Sequence, residues 1–174
     1  MPEPEISFRP IGDDDLPFLA RLYASTRWEE LADVQWTDEQ KHAFLRFQFD
    51  AQHDHYQKHY PKASFDLVLA DGEPAGRLYV DEWPKEIRLV DVALLPEHRG
   101  RGLGTRLLAG VMERAEAAAK PLTIHVEGFN PALRLYERLG FRRIGEHGPY
   151  LLMEWRPSTA AGATGRGPAG PTSP

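Results

Sequence analysis

Apolar and polar positions alternate at Ile6, Ser7, Phe8 and Arg9, a period of two that predicts a short opening strand. Leu16, Leu19, Leu22 and Tyr23 then recur at helical spacing, behind the carboxylates of Asp13, Asp14 and Asp15, which suit a cap and first turn. Thr37 and Gln40 have the spacing of a capping box and open a second helix, with Phe44, Phe47 and Ala51 on one face and Pro61 ending it. Three strand signals follow: 65–70, 76–80 after the turn residues Asp71, Gly72, Glu73 and Pro74, and the branched run 87–94. Leu103, Leu107, Leu108, Val111, Met112 and Ala115 trace a third helical stripe, stopped by Pro121. Residues 122–126 read as a strand, 130–139 as a helix, and 141–144 and 150–155 as two closing strands.

The predicted order is βααβββαβαββ, a mixed α/β sheet. Strand, helix and strand from 87 to 126 imply a right-handed parallel crossover, with the remaining strands antiparallel. From Pro157 the pattern ends. Eighteen residues carry four glycines, four prolines and one charge, Arg166. Such a segment has little to bury and is expected to be a disordered tail, leaving 1–156 as one domain.

Composition narrows the function. The chain has 174 residues, 41% of them hydrophobic and 27% charged, which suits one globular domain. A net charge of −5 argues against nucleic acid as partner. With no cysteine, disulfides, thiolate metal sites and a cysteine nucleophile are excluded. No apolar run is long enough to span a membrane, and the start at Met1, Pro2 and Glu3 is unlike a signal peptide, so cytoplasm is the default expectation.

The densest chemistry lies where the run 87–94 meets Arg99, Gly100, Arg101, Gly102, Leu103, Gly104 and Thr105 and passes into a helix. Glycines let backbone approach a ligand closely, and the free amides of a helix start favour phosphate. No lysine follows Gly104, which excludes a Walker A loop, and Thr105 stands where a Rossmann fingerprint counted from Gly100 needs a third glycine. Arg99 to Gly104 does fit the pattern Arg/Gln-x-x-Gly-x-Gly/Ala.

The stretch from Val92 through Pro96 to Gly104 resembles the acetyl-CoA signature of the GNAT acyltransferase superfamily. Downstream, Asn130, Ala132, Leu135, Tyr136, Gly140 and Phe141 resemble a second GNAT segment, at the family's separation. The resemblance covers roughly 6–155. It implies the GNAT fold with a splayed central strand pair, and an N-acetyltransferase that moves an acetyl group from acetyl-CoA to a primary amine, without a metal. By carry-over, the backbones of Val92 and Leu94 hold the pantetheine arm. Amides from Arg99 to Thr105 hold the pyrophosphate, and Asn130 lies near the thiol. Tyr136 takes the place of the general acid; with a reference pKa near 10 it is protonated at neutral pH. Its plainer alternative is an aromatic packing residue.

The base is open between His125, Asp91 and water. His125 points away from Ile124 and Val126 on its strand; the alternative is a hydrogen-bonded, half-buried imidazole. Asp91 resembles an aspartate of polyamine-type members; the alternative is a salt bridge. Glu82 and Trp83, next to Asp81, would suit a cationic acceptor, or simply end a hairpin. His55 and His59 are four apart, with His42 and His53 nearby, but no third ligand is evident, so no metal is expected. A protein acceptor and a non-catalytic acyl-CoA sensor are the competing functions; the presence of Tyr136 and Asn130 argues against the sensor. Many relatives dimerise through their C-terminal strands, so the resemblance allows a homodimer.

Overall fold

The computed structural model describes residues 2–158. The predicted tail falls almost wholly outside them. The elements are β1 (Ile6–Pro10), α1 (Leu16–Arg27), α2 (Asp38–His59), β2 (Ser64–Ala70), β3 (Glu73–Glu82), β4 (Ile87–Leu94), α3 (Leu103–Ala118), β5 (Leu122–Glu127), α4 (Leu133–Arg138), β6 (Arg142–His147) and β7 (Tyr150–Trp155), with short 3₁₀ turns ahead of α1, α2 and α3. This is the predicted order. The bounds of β4 and β7 agree with the sequence reading, while α4 is shorter at both ends. The strands form one mixed sheet in the order β1-β2-β3-β4-β5-β7-β6. β4 and β5 pair in parallel; β1 with β2, β2 with β3, β5 with β7 and β6 with β7 pair antiparallel.

The chain divides into two compact units, Met1–Glu82 with Leu89–Leu107, and Trp83–Arg88 with Leu108–Pro174. In the first, Leu19, Tyr23, Leu31, Leu45, Phe49 and Leu67 make a buried cluster where α1 and α2 pack on the sheet. The hairpin from β2 to β3 turns on Asp71 (φ 49°) and Gly72 (φ 81°), both left-handed, as a two-residue turn between right-twisted strands requires. Gly76 on β3 faces the backbone of β4 so closely that a Cβ there would run into the carbonyl oxygen of Ala93. In the second unit, Leu122, Ile124 and Val126 of β5 are buried, as are Leu108, Val111 and Ala115 of α3 and Leu151, Leu152 and Met153 of β7.

Two local expectations change. The three carboxylates before α1 lie in a 3₁₀ turn, and α1 begins only at Leu16. Asp15 accepts two 2.8 Å bonds from the Arg9 guanidinium and one from the Gly12 amide, so it ties β1 to the helix start. On α2, the capping box forms as predicted: the Gln40 amide donates to Thr37 Oγ1 at 3.1 Å and the Thr37 amide donates to Gln40 Oε1 at 2.9 Å. The buried face, however, is Leu45 and Phe49. Phe47 is 73% exposed and Ala51 is exposed; only Phe44 of the predicted stripe reaches the core. Both faces have helical spacing, and only packing against α1 selects one. Phe49→Ala should therefore cost roughly 3–5 kcal/mol in denaturant unfolding, and Phe47→Ala about 0.5 kcal/mol or less. Equal losses would overturn the assignment of the face.

Candidate active site

The glycine turn belongs to the first unit. β4 ends at Leu94, a 3₁₀ turn spans Pro96–His98, and α3 starts at Leu103. Gly100 (φ 73°) and Gly102 (φ 78°) both occupy the left-handed region, and a Cβ at either would meet no atom within 4 Å. The backbone there is open to a ligand, and glycine is needed for its conformation. Gly100→Ala and Gly102→Ala should each cost roughly 1–2 kcal/mol in unfolding experiments, from the dihedral alone. Gly104 and Thr105 lie in the first turn of α3, whose early amides have no intrahelical acceptor.

The arginines around the turn have distinct positions. Arg99 folds back: its Nε donates to the Leu94 carbonyl at 2.8 Å and its Nη2 to Ser25 Oγ at 3.3 Å. It thus braces the end of β4 against α1. Arg106 donates to the Pro4 carbonyl at 3.0 Å. Arg101 is exposed in the turn. Val92, half-buried, and Leu94, buried, occupy the last turns of β4. The Leu95 amide donates to the Ala75 carbonyl of β3 at 2.8 Å.

Asp91 forms an ion pair with Arg77 of β3. Arg77 is 3% exposed, and its Nη2 also donates to Gln52 Oε1 of α2 at 2.7 Å. The guanidinium carbon lies 4.9 Å from the centroid of the Tyr79 ring. Burial pushes the Tyr79 hydroxyl above its ordinary value, against a downward pull from Arg77. The salt-bridged alternative for Asp91 is therefore what the geometry contains. Arg77 and Gln52 were not singled out in the sequence, although an arginine within the apolar run of β3 is the kind of signal that marks a buried ion. Glu82, at the end of β3, is exposed, and Asp81 beside it is buried.

The second unit holds Trp83, His125, Asn130 and Tyr136. Asn130 acts on its own loop: its Oδ1 accepts from the Ala132 amide at 2.9 Å and its carbonyl from the Leu133 amide at 3.0 Å, which starts α4. Tyr136 of α4 is 4% exposed, and its ring packs 5.5 Å from that of Phe141. Trp83 carries the guanidinium of Arg88 over its ring at 4.8 Å. The face that could hold a cationic acceptor is thus approached by a cation of the chain itself. Arg88 is 8% exposed; its Nε donates to Thr123 Oγ1 at 2.9 Å and its Nη1 to His125 Nδ1 at 3.1 Å. Glu86 lies 3.5 Å from Arg88 and accepts from the Thr123 hydroxyl. Burial, with the charges of Arg88 and His147, holds the His125 imidazole below its ordinary pKa, against a smaller upward pull from Glu86. Arg88, Thr123 and Glu86 were not anticipated from the sequence.

On α2, the rings of His55 and His59 stack at 3.9 Å and His59 Nδ1 is 3.0 Å from the His55 carbonyl, while His42 packs on Trp28. Among the described residues, no group of three or more His, Cys, Asp or Glu gathers as a metal site. No helix of the described residues is long and apolar enough to cross a membrane.

The profile of the acetyltransferase (GNAT) family matches residues 26–141. A streptothricin acetyltransferase of Streptomyces lavendulae is 35% identical over 86 residues, which is 47% of this chain and 46% of that protein. A mycothiol acetyltransferase of Corynebacterium aurimucosum is 47% identical over 58 residues, 32% of this chain and 19% of that protein. The chain thus spans less than half the length of these curated relatives. Among solved structures, the PaiA N-acetyltransferase of Thermoplasma acidophilum, in complex with coenzyme A, superposes with a TM-score of 0.66 at 17% identity, covering 87% of this chain and 99% of that one.

Proposed function

The chain belongs to the acetyltransferase (GNAT) family, and from that premise we propose that it transfers an acetyl group from acetyl-CoA to a primary amine by direct attack. The observation that carries this reading is the turn Arg99–Thr105. Two left-handed glycines bare the backbone directly ahead of α3, where free amides and the helix dipole suit a pyrophosphate. The backbones of Val92 and Leu94 are assigned to the pantetheine arm and Asn130 to the thiol end. Residues 1–156 are proposed as the catalytic domain.

In the reaction, the neutral amine attacks the thioester carbonyl, a C–N bond forms, and the C–S bond breaks. The amine loses one proton and the leaving thiolate takes one up. Tyr136 is proposed to give the second proton. Asp91 is proposed to hold the acceptor's ammonium and, with water, to take both the proton that frees the amine lone pair and the one the amine loses on attack. Its existing pairing with Arg77 makes that a shared duty. Glu82 is proposed to extend the acidic character of the acceptor side, with Trp83 beside it. The names of the curated relatives refer to streptothricin and mycothiol, not to a protein, which favours a small-molecule acceptor.

The test is thiol release from acetyl-CoA with a panel of polyamines, aminoglycosides, amino acid amides and short peptides. Turnover on one class names the acceptor. Acetyl-CoA binding without turnover on any of them would favour a non-catalytic sensor, and no binding would sink the proposal.

A further inference from the structure

We infer that Arg88 fixes His125 as an outward-facing N–H donor, and that His125 thereby selects acceptors carrying an oxygen acceptor, such as an amide carbonyl, next to the amine. This rests on the acyl-transfer reading above and assigns His125 a specificity role in place of a basic one.

The argument begins with what a guanidinium can do. Arginine only donates hydrogen bonds, so the ring nitrogen facing Arg88 Nη1 at 3.1 Å must accept with its lone pair. A neutral imidazole has one accepting and one donating nitrogen, so the other must carry the proton. Turning the ring over would set the Cδ2–H carbon against Arg88 in place of Nδ1 and leave the guanidinium no acceptor there, so the bond itself selects this orientation. An imidazole in this state has no lone pair left for an acceptor's proton. It is a fixed donor.

Arg88 is itself held from several sides. Its Nε is bonded to Thr123, Glu86 lies 3.5 Å from its Nη2, and Trp83 lies under its plane. The parallel register pairs Arg88 with Thr123 across the strands, and His125 follows two residues on, on the same face of β5. The charged groups facing His125 are therefore Arg88 and Glu86 from β4 and its hairpin, and His147 from β6. Two of the three disfavour a second proton on the ring, so the donor state persists through neutral pH. His125 is exposed, so its proton-bearing edge can meet a ligand. A simple alkylamine has nothing to accept that bond. An aminoacyl amide does.

The experiment uses the full chain and needs no acyl donor. Long-range ¹⁵N–¹H NMR of the histidine rings should show one His125 nitrogen, the one facing Arg88, unprotonated at pH 7 to 8. Arg88→Met should let the two tautomers mix and raise the pH at which the ring titrates. If that variant does not fold, the wild-type spectrum decides alone. Glycinamide should then shift the His125 resonances on titration, and propylamine at the same concentration should not. With acetyl-CoA present, His125→Leu should lower kcat/KM for glycinamide roughly 3- to 10-fold, as for one lost hydrogen bond, while propylamine changes little and His125→Gln restores glycinamide. A protonated nitrogen facing Arg88, or equal shifts by both amines, overturns the inference. Equal kcat/KM losses for both acceptors would return His125 to the role of base. Absence of turnover with the NMR pattern intact would count against the acyl-transfer reading alone.

Discussion

Tyr136→Phe should lower kcat roughly 100-fold or more, with KM for either substrate nearly unchanged, because the variant removes the proposed proton donor and keeps the ring. The ring sits 4% exposed against Phe141, and phenylalanine fills the same volume, so the fold should be intact. Thiol release from acetyl-CoA at saturating acceptor measures the effect, and thermal unfolding checks the fold. The donor is needed because an alkyl thiolate leaving into a poorly solvated site must be protonated as the C–S bond breaks. A variant with full kcat would make Tyr136 a packing residue and place the acid elsewhere.

Asp91→Asn should destabilise the protein by about 3 kcal/mol, which lowers Tm by roughly 6–12 °C for a chain of this size. Arg77 is 4% exposed at its side chain and Asp91 20%. Burial is the largest influence on the guanidinium and disfavours its charge; the carboxylate offsets that penalty. An asparagine leaves the cation buried, with the neutral Gln52 oxygen still accepting from it. The double variant Arg77→Met with Asp91→Leu should recover most of the loss, since it removes both charges at once. Calorimetry on the three proteins reads the result. Equal destabilisation of the single and double variants would mean that the pair contributes packing and not charge neutralisation. The same single variant tests catalysis, but only the stability cycle separates the structural duty of Asp91 from a chemical one.

The order of elements is legible in the chain, because period-two and period-3.6 patterns, proline stops and glycine turns act over a few residues. So are the bounds of β4 and β7, the capping box at Thr37 and Gln40, and the glycine turn with its resemblance to the GNAT signature. These are local in the chain, so local chemistry exposes them. Which face of α2 packs was not legible, because Phe44 and Phe47 share helical spacing just as Leu45 and Phe49 do, and a helix has no preferred face until α1 and the sheet supply one. The partners of the candidate bases were hidden for the same reason. Arg77 and Asp91 are 14 residues apart, and Arg88 and His125 are 37 apart. Each pair is brought together by strands that are neighbours in the sheet. The residue types identified Asp91 and His125 as groups able to accept a proton, and tertiary structure decided that each already faces an arginine, since only a buried guanidinium positioned across strands sets what a carboxylate or an imidazole can still do.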